Sequence, residues 1–497
     1  MGPCVGVEGY ADRRVSKGLT RVVLVGLLWC GASGAQADPA VAATSAYAGQ
    51  QGASSLMRVQ NAPPAPRRME TRPAGGAVLT PMTKPFSSQI TEPAAADAQA
   101  APDLPTQAAV NGLKTPLSSD NFAAVQGVSI SEIRLGMAGP FSGPSKDLGR
   151  NMKIGIETAF GSANEGGGVN GRQLKLVAAD DGYEPARTLE MMKQLYERDR
   201  VFGFIGNVGT PTAMAALPYA LEHKALFFGA FTGANALRRD PPDRYVFNYR
   251  PSYAEETEAV VNYLIRVRRL RPDQIGVFAQ EDAYGDSGYA GVQKALRSQR
   301  TDRVPDAPRF GYKRNTADVA DAVAAFKAAR RPLKAIVMVA SYRAAARFIE
   351  KMHDIAPSMI FSNVSFVGST SLADELMLMG PKYANGVIVT QVVPAVDSYA
   401  SAIIDYKAAL QKYFPGEKPD YVSLEGYVSA NLLINALKQA GPQLDTEKVV
   451  AALELLQNVD MGVGTIMNFG RSDHQASHKV WGTMLDETGR YQAIDLN

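Results

Sequence analysis

From Ile133 onward, short apolar runs alternate with amphipathic helical stretches, and this alternation limits the possible folds more than any other feature of the chain. The strand-like runs are Ile133 to Met137, Leu174 to Ala178, Phe202 to Ile205, Leu226 to Phe228, Ile275 to Ala279, Ala335 to Val339 and Val387 to Val392. Between them Leu148, Met152, Ile156 and Phe160 recur every fourth residue, and Val319, Val323 and Phe326 follow the same period, so both sets read as core stripes. Gly166 to Gly168 close one helix, and Pro185 stands where the first residue of the next would lie. Strand, helix and strand in succession predict right-handed crossovers and an α/β fold of parallel sheets covered on both faces. About 370 residues of such units exceed one core, which predicts two doubly wound lobes. Ligands of open parallel sheets bind beyond the carboxyl ends of the strands, so facing lobes would enclose a cleft lined by those loops.

The segment before this body has a different character. Arg13, Arg14, Lys17 and Arg21 precede an apolar run from Val22 to Trp29, and small residues end at Ala35-Gln36-Ala37. Residues 1–37 therefore read as a secretory signal cleaved before Asp38, too short in its apolar part to span a bilayer. Cys4 and Cys30 are the only cysteines of the 497 residues, so the processed chain would carry no thiol. That rules out disulfides, cysteine-zinc sites, Fe–S clusters and cysteine nucleophiles in the body. Residues 38–128 are rich in Ala and Pro and poor in aromatics, the composition of a disordered tether. A net charge of +3 implies no nucleic-acid or membrane patch.

The loops after the strands carry the candidate chemistry. Ala138 to Pro144 follow the first strand, Gly206 to Thr212 the third, and Gly229 to Ala234 the fourth; each is small, hydroxyl-bearing and leads into a helix. Exposed backbone N–H groups and a threonine at a helix start form an anion site, although the same residues also serve as caps and tight turns.

Several of these elements recur in a recognisable order: Ile133-Arg134-Leu135-Gly136 with Gly139 to Gly143, Asn170-Gly171-Arg172 before a strand ending Asp180-Asp181, then Phe204-Ile205-Gly206, Thr232-Gly233-Ala234, Tyr284-Gly285 and Gly386-Val387. Over residues 130–495 this order resembles the type I periplasmic solute-binding proteins of ABC transporters, in their leucine/isoleucine/valine-binding branch. The resemblance implies two lobes joined by three crossings, near Tyr249 to Ser252, Thr390 to Pro394 and Gly462 to Asn468. Lobe I would then hold 129–251 and 393–461, and lobe II 252–392 and 462–497.

The same resemblance implies a ligand carboxylate held by Asn207, Gly209, Thr210 and Thr212 after the third strand and by Thr232 and Gly233 after the fourth. It also implies aromatic contacts from Tyr284, Tyr342 and Tyr427. The pattern departs at Ser365, where amino-acid binders of the family place an acid to pair with the ligand ammonium; an ammonium ligand would here need Glu425 or Asp286 instead.

Other chemistry lacks support. Gly285-Asp286-Ser287-Gly288 sits in α/β material, where Ser287 reads as a helix cap rather than a nucleophile. No Walker A motif and no complete G-x-G-x-x-G occurs. His474 and His478 read as solvated residues of a late turn rather than a metal pair, and Asp180-Asp181 as a structural pair. The expectation is an exported periplasmic protein, monomeric and without a cofactor, that performs no catalysis. It would capture a small amino acid or related carboxylate or amide and deliver it to an ABC permease. The alternative is a periplasmic sensor of the same fold.

Overall fold

The computed structural model describes residues 125–299 and 305–496. The expected signal at 1–37, and the expected tether as far as residue 124, lie outside the described residues. Strands β1 (Glu132–Gly139), β2 (Gln173–Asp180), β3 (Gly203–Ile205), β4 (Leu226–Phe228) and β5 (Val246–Phe247) form one sheet. Its pairings are all parallel, in the order β2-β1-β3-β4-β5. Helices α1 (Lys146–Glu165), α2 (Pro185–Lys193) and α3 (Thr210–Glu222) connect the first four strands. Leu148, Met152 and Ile156 on α1 are wholly buried, as their spacing predicts.

The chain then crosses at 248–252 into a second sheet. Here α4 (Tyr253–Asn262), β6 (Ile275–Gln280), α5 (Ala283–Ser298), β7 (Arg309–Tyr312), α6 (Ala320–Ala329), β8 (Ala335–Val339), α7 (Tyr342–His353), β9 (Ile360–Asn363), α8 (Ser369–Met379), α9 (Pro381–Ala384) and β10 (Ile388–Gln391) follow in turn. After β10 the chain returns to the first lobe as α10 (Ser401–Tyr413), α11 (Tyr421–Gln439), α12 (Thr446–Glu454) and the small ribbon of β11 (Val459–Asp460) and β12 (Ile466–Met467). The approach of α11 to α1 is backbone to backbone: a Cβ on Gly155 would lie 1.8 Å from the Ser423 carbonyl oxygen. Finally β13 (Trp481–Leu485) and β14 (Tyr491–Ile494) add to the second sheet, giving the order β14-β13-β10-β9-β8-β6-β7.

The fold is α/β with two doubly wound lobes, and the seven strand-like runs all appear. Short or polar strands escaped the pattern. β5 has two residues, β9 carries buried Ser362 and Asn363, and β13 and β14 extend the sheet antiparallel, which no parallel-crossover argument anticipates.

The last return to the second lobe lies later than Gly462 to Asn468. Phe469 packs edge-on against Phe247, His474 stacks on the same ring at 3.8 Å, and the Asn248 N–H donates to the His474 carbonyl. Residues 469–477 therefore run beside β5 with the first lobe, completing the edge that this short strand leaves open. His474 is consequently buried, not solvated, whereas His478 is exposed and bonded to Glu255 and Asp473. Ser287 does not cap α5: Asp282 does, accepting from the Tyr284 N–H at 3.0 Å, while Ser287 sits inside the helix and donates to Ala283.

Candidate functional site

The parallel strands of each sheet reverse their order once, between β1 and β3 in the first and between β6 and β8 in the second. The loops leaving these strands diverge above and below the sheet and leave a crevice. Asn207 and Thr210 follow β3 at the first switch, with Tyr183 from the loop after β2 against Gly209, and Tyr284 and Tyr342 follow β6 and β8 at the second.

In the first lobe, Gly209 turns the chain with φ of +104°, and a Cβ there would fall 2.2 Å from the Tyr183 ring. Only glycine accommodates both demands. Thr210 follows as the first residue of α3, a helix without a side-chain cap. Its Oγ1 lies 2.7 Å from Oγ1 of Thr232, which is 3.4 Å from the Tyr253 hydroxyl. Thr212 donates to the Val208 carbonyl, and Gly233 accepts from the Tyr253 N–H at 2.8 Å. Asn207 is buried with Nδ2 against the Met192 sulfur and Oδ1 without a hydrogen-bond partner.

From the second lobe, Tyr284 reaches the same region because Asp282 holds the start of α5. Gly285 lets that turn pass the Gln280 carbonyl, which a Cβ would meet at 1.9 Å. The Tyr284 ring lies 5.3 Å from Tyr253 and 4.6 Å from Phe366, and its buried hydroxyl has no partner. Phe366 also approaches Phe231 at 5.2 Å and Tyr183 at 6.2 Å, so one ring touches aromatic neighbours from both lobes.

At the first crossing stands Arg250, wholly buried. Its guanidinium lies 4.8 Å from the Phe231 ring centre, and Nη2 donates to Glu256 at 3.3 Å and to the Ser365 hydroxyl. Nη1 is 3.6 Å from Glu425. Glu256 also accepts from the Ser365 N–H at 2.8 Å and the Thr390 hydroxyl at 2.6 Å. Burial pushes the Glu425 carboxyl up to about 7, with Arg250 opposing and Glu256 reinforcing the shift. Burial opposes the charge on Arg250, but Glu425 and Glu256 more than offset it, leaving its pKa raised.

The structure thus brings Asn207, Gly209, Thr210, Thr212, Thr232, Gly233, Tyr284 and Ser365 into one buried neighbourhood. Tyr342 stands outside it, clasping the lobes: its hydroxyl meets the Pro144 carbonyl at 2.6 Å and Asp147 at 2.8 Å. Tyr427 does not join. It lies on another face of α11 from Glu425, packing on Tyr406 and lining a groove with Asp405, Asn431 and Lys438. Asp286 is an exposed partner of Arg309 and takes no part. Asp180 accepts from the N–H groups of Phe141, Ser142 and Gly182, and Asp181 from Tyr183 and Thr188, so the pair orders two turns.

Sequence reasoning missed Arg250, Glu256, Phe366, Phe231, Tyr253 and Tyr183. A signal existed for two of them: Arg250 sits alone among Tyr249, Pro251 and Ser252 at a crossing, and Ser252 with Glu255 forms a capping box that fixes the start of α4 beside Glu256.

Further contacts close the two lobes on each other. Arg314 pairs with Glu184 at 2.8 Å, and the Asn315 amide donates to the Gly182 carbonyl at 3.0 Å.

Residues 132–490 match the family described as periplasmic binding protein. The chain belongs to the periplasmic binding protein family. It is 39% identical to a possible leucine/isoleucine/valine-binding protein from Rhodopirellula baltica, whose crystal structure covers 75% of this chain and 99% of its own, with a TM-score of 0.70. It is 24% identical over 382 residues to an amino acid binding protein of Pseudomonas aeruginosa, covering 75% of this chain and 96% of that one. The branched-chain amino acid transporter substrate binding protein from Streptococcus pneumoniae, solved with isoleucine, shares the fold at 17% identity and a TM-score of 0.61, covering 73% and 99% of the two chains. This family is one of substrate-binding proteins and not of enzymes. Its name places such proteins in the periplasm, and among the described residues no helix is long and apolar enough to cross a membrane.

Proposed function

We propose that this periplasmic binding protein captures a small amino acid or related carboxylate or amide in the cleft between its lobes and delivers it to an ABC-transporter permease. The observation that carries this reading is the buried polar cluster shared by the lobes, in which the Tyr284 hydroxyl and the Arg250 Nε have no hydrogen-bond partner. A buried polar atom without a partner costs about 1–3 kcal/mol, which a ligand's own polar groups would recover. The two relatives named for amino acids support the class of ligand.

The mechanism is domain closure. Opening about the crossings separates Thr210 and Thr232 from Tyr284 and Phe366, and a ligand bridging them favours the closed state by its higher affinity for it. A closed surface joined across Tyr342 and Arg314 is then what a permease would recognise. Export by the signal at 1–37 belongs to the same reading.

Thermal unfolding of the stripped protein against amino acids, amides and small acids tests it. At one hundred times its Kd a ligand adds about 2.7 kcal/mol, a rise of roughly 3–4 °C. If Tyr284→Ala and Thr232→Val both leave the affinity unchanged, the site lies elsewhere.

A further inference from the structure

The groups still unmatched in the cleft narrow the ligand's chemistry. Resting on the reading that this cluster is the ligand site, we propose that the ligand is an organic carboxylate with an apolar body and no ammonium group, rather than an α-amino acid.

The cluster has donors to spare. Arg250 Nε and Nη1 and the Tyr284 hydroxyl are buried without hydrogen-bond acceptors. Thr210, Thr232 and Tyr253 bring three hydroxyls to the same wall, with Thr210 Oγ1 2.7 Å from Thr232 Oγ1 and the latter 3.4 Å from the Tyr253 hydroxyl. Beside them α3 begins, thirteen residues long and uncapped, with N–H groups that favour an anion.

The nearby acids, by contrast, are already engaged. Glu256 accepts from Arg250, Ser365 and Thr390. Asp282 accepts from Gln280 and Tyr284 and pairs with Arg314. Asp181 accepts from Tyr183 and Thr188. Glu425 faces Arg250 Nη1 at 3.6 Å, and burial raises its pKa. An ammonium would bring three more donors to a buried site whose remaining carboxyl, Glu425, already faces the Arg250 guanidinium at 3.6 Å. Phe231, Phe366 and Tyr284 supply the apolar wall.

The test uses calorimetric titration of the full mature chain, stripped of carried-over ligand, with compounds that share one side chain. One set is isoleucine, 3-methylpentanoate and 2-methylbutylamine, and the other phenylalanine, 3-phenylpropanoate and 2-phenylethylamine. The acid of at least one set is expected to bind about tenfold or more tighter than its amino acid, with no binding by the amine. Tyr284→Phe should weaken that acid about tenfold while the unliganded melting temperature stays within about 2 °C. An amino acid that binds as tightly as its acid, and is weakened by Tyr284→Phe, overturns the anionic class but leaves the cleft in place. Binding that neither Tyr284→Phe nor Thr232→Val alters overturns the cleft reading itself. Failure of every acid to bind at millimolar concentration also overturns the proposal.

Discussion

Arg250 and Glu256, six residues apart across the first crossing, form an ion pair at 3.3 Å with both side chains shielded completely from water. A charge at such depth persists only because its counter-charge is held by other bonds, here from Ser365 and Thr390 to Glu256. The pair therefore ties the crossing to the ends of β9 and β10, the strands whose loops face the cleft.

Arg250→Leu removes the cation and strands two buried carboxyls. Breaking one side of a buried pair costs about 3–5 kcal/mol, and urea unfolding should show a loss of that size. A loss below about 1 kcal/mol would mean that the fold holds Glu256 and Glu425 without depending on Arg250.

Stability should fall with rising pH over one window because of Glu425. Its folded-state pKa of about 7 exceeds the ordinary 4.5 of a free glutamate, so between those two values the native state holds the proton more tightly than the unfolded chain. The contribution is complete below about pH 4.5 and gone above about 7, at up to roughly 1.4 kcal/mol per pH unit. Urea midpoints for Glu425→Gln, subtracted from those of the native sequence, should isolate this slope; parallel curves would exclude it.

Gly209→Ala places a methyl group into the Tyr183 ring at a backbone angle that alanine tolerates poorly. A loss of about 1–3 kcal/mol is expected from the strain, together with weaker ligand binding, because displacing Tyr183 disturbs its contact with Phe366. Unchanged stability would show that this loop readjusts freely.

Tyr342→Phe should act on closure more than on folding. Its hydroxyl joins α7 to the loop before α1 and to Asp147, contacts that exist only while the lobes meet. Hydrogen bonds to charged groups contribute about 1.5–3 kcal/mol, so stopped-flow ligand release should quicken roughly tenfold or more, with little change in the melting temperature of the unliganded protein. Unaltered release would show that Tyr342 plays no part in holding the closed form.

The long β1 and β6 and the face of α1 were legible because burial on both sides of a parallel strand, or on one stripe of a helix, leaves an apolar pattern in the chain. The loops from Asn207 to Thr212 and from Thr232 to Gly233 were legible for a related reason, since small hydroxyl residues at strand ends are set by local turn geometry. Strands such as β5 and β9 were not, since β5 has only two residues and β9 carries polar Ser362 and Asn363. The path beside β5 was hidden too: Phe469 and His474 meet Phe247 across more than two hundred residues.

The alternation of strand and helix, the doubly wound lobes and the places where loops could meet a ligand follow from the sequence by itself, because they depend on periodicity and turn chemistry within short spans. Which side chains face one another across the cleft was decided only by tertiary structure. Tyr427 and Glu425 are two residues apart, yet on a helix such a spacing sends them to different faces, so Glu425 reaches Arg250 while Tyr427 turns to Tyr406. Arg250, read alone, is one more cation; it becomes the centre of the cluster because folding removes it from water beside Glu256, Ser365 and Phe231, and the energy of a buried charge depends on the partners that the fold places around it.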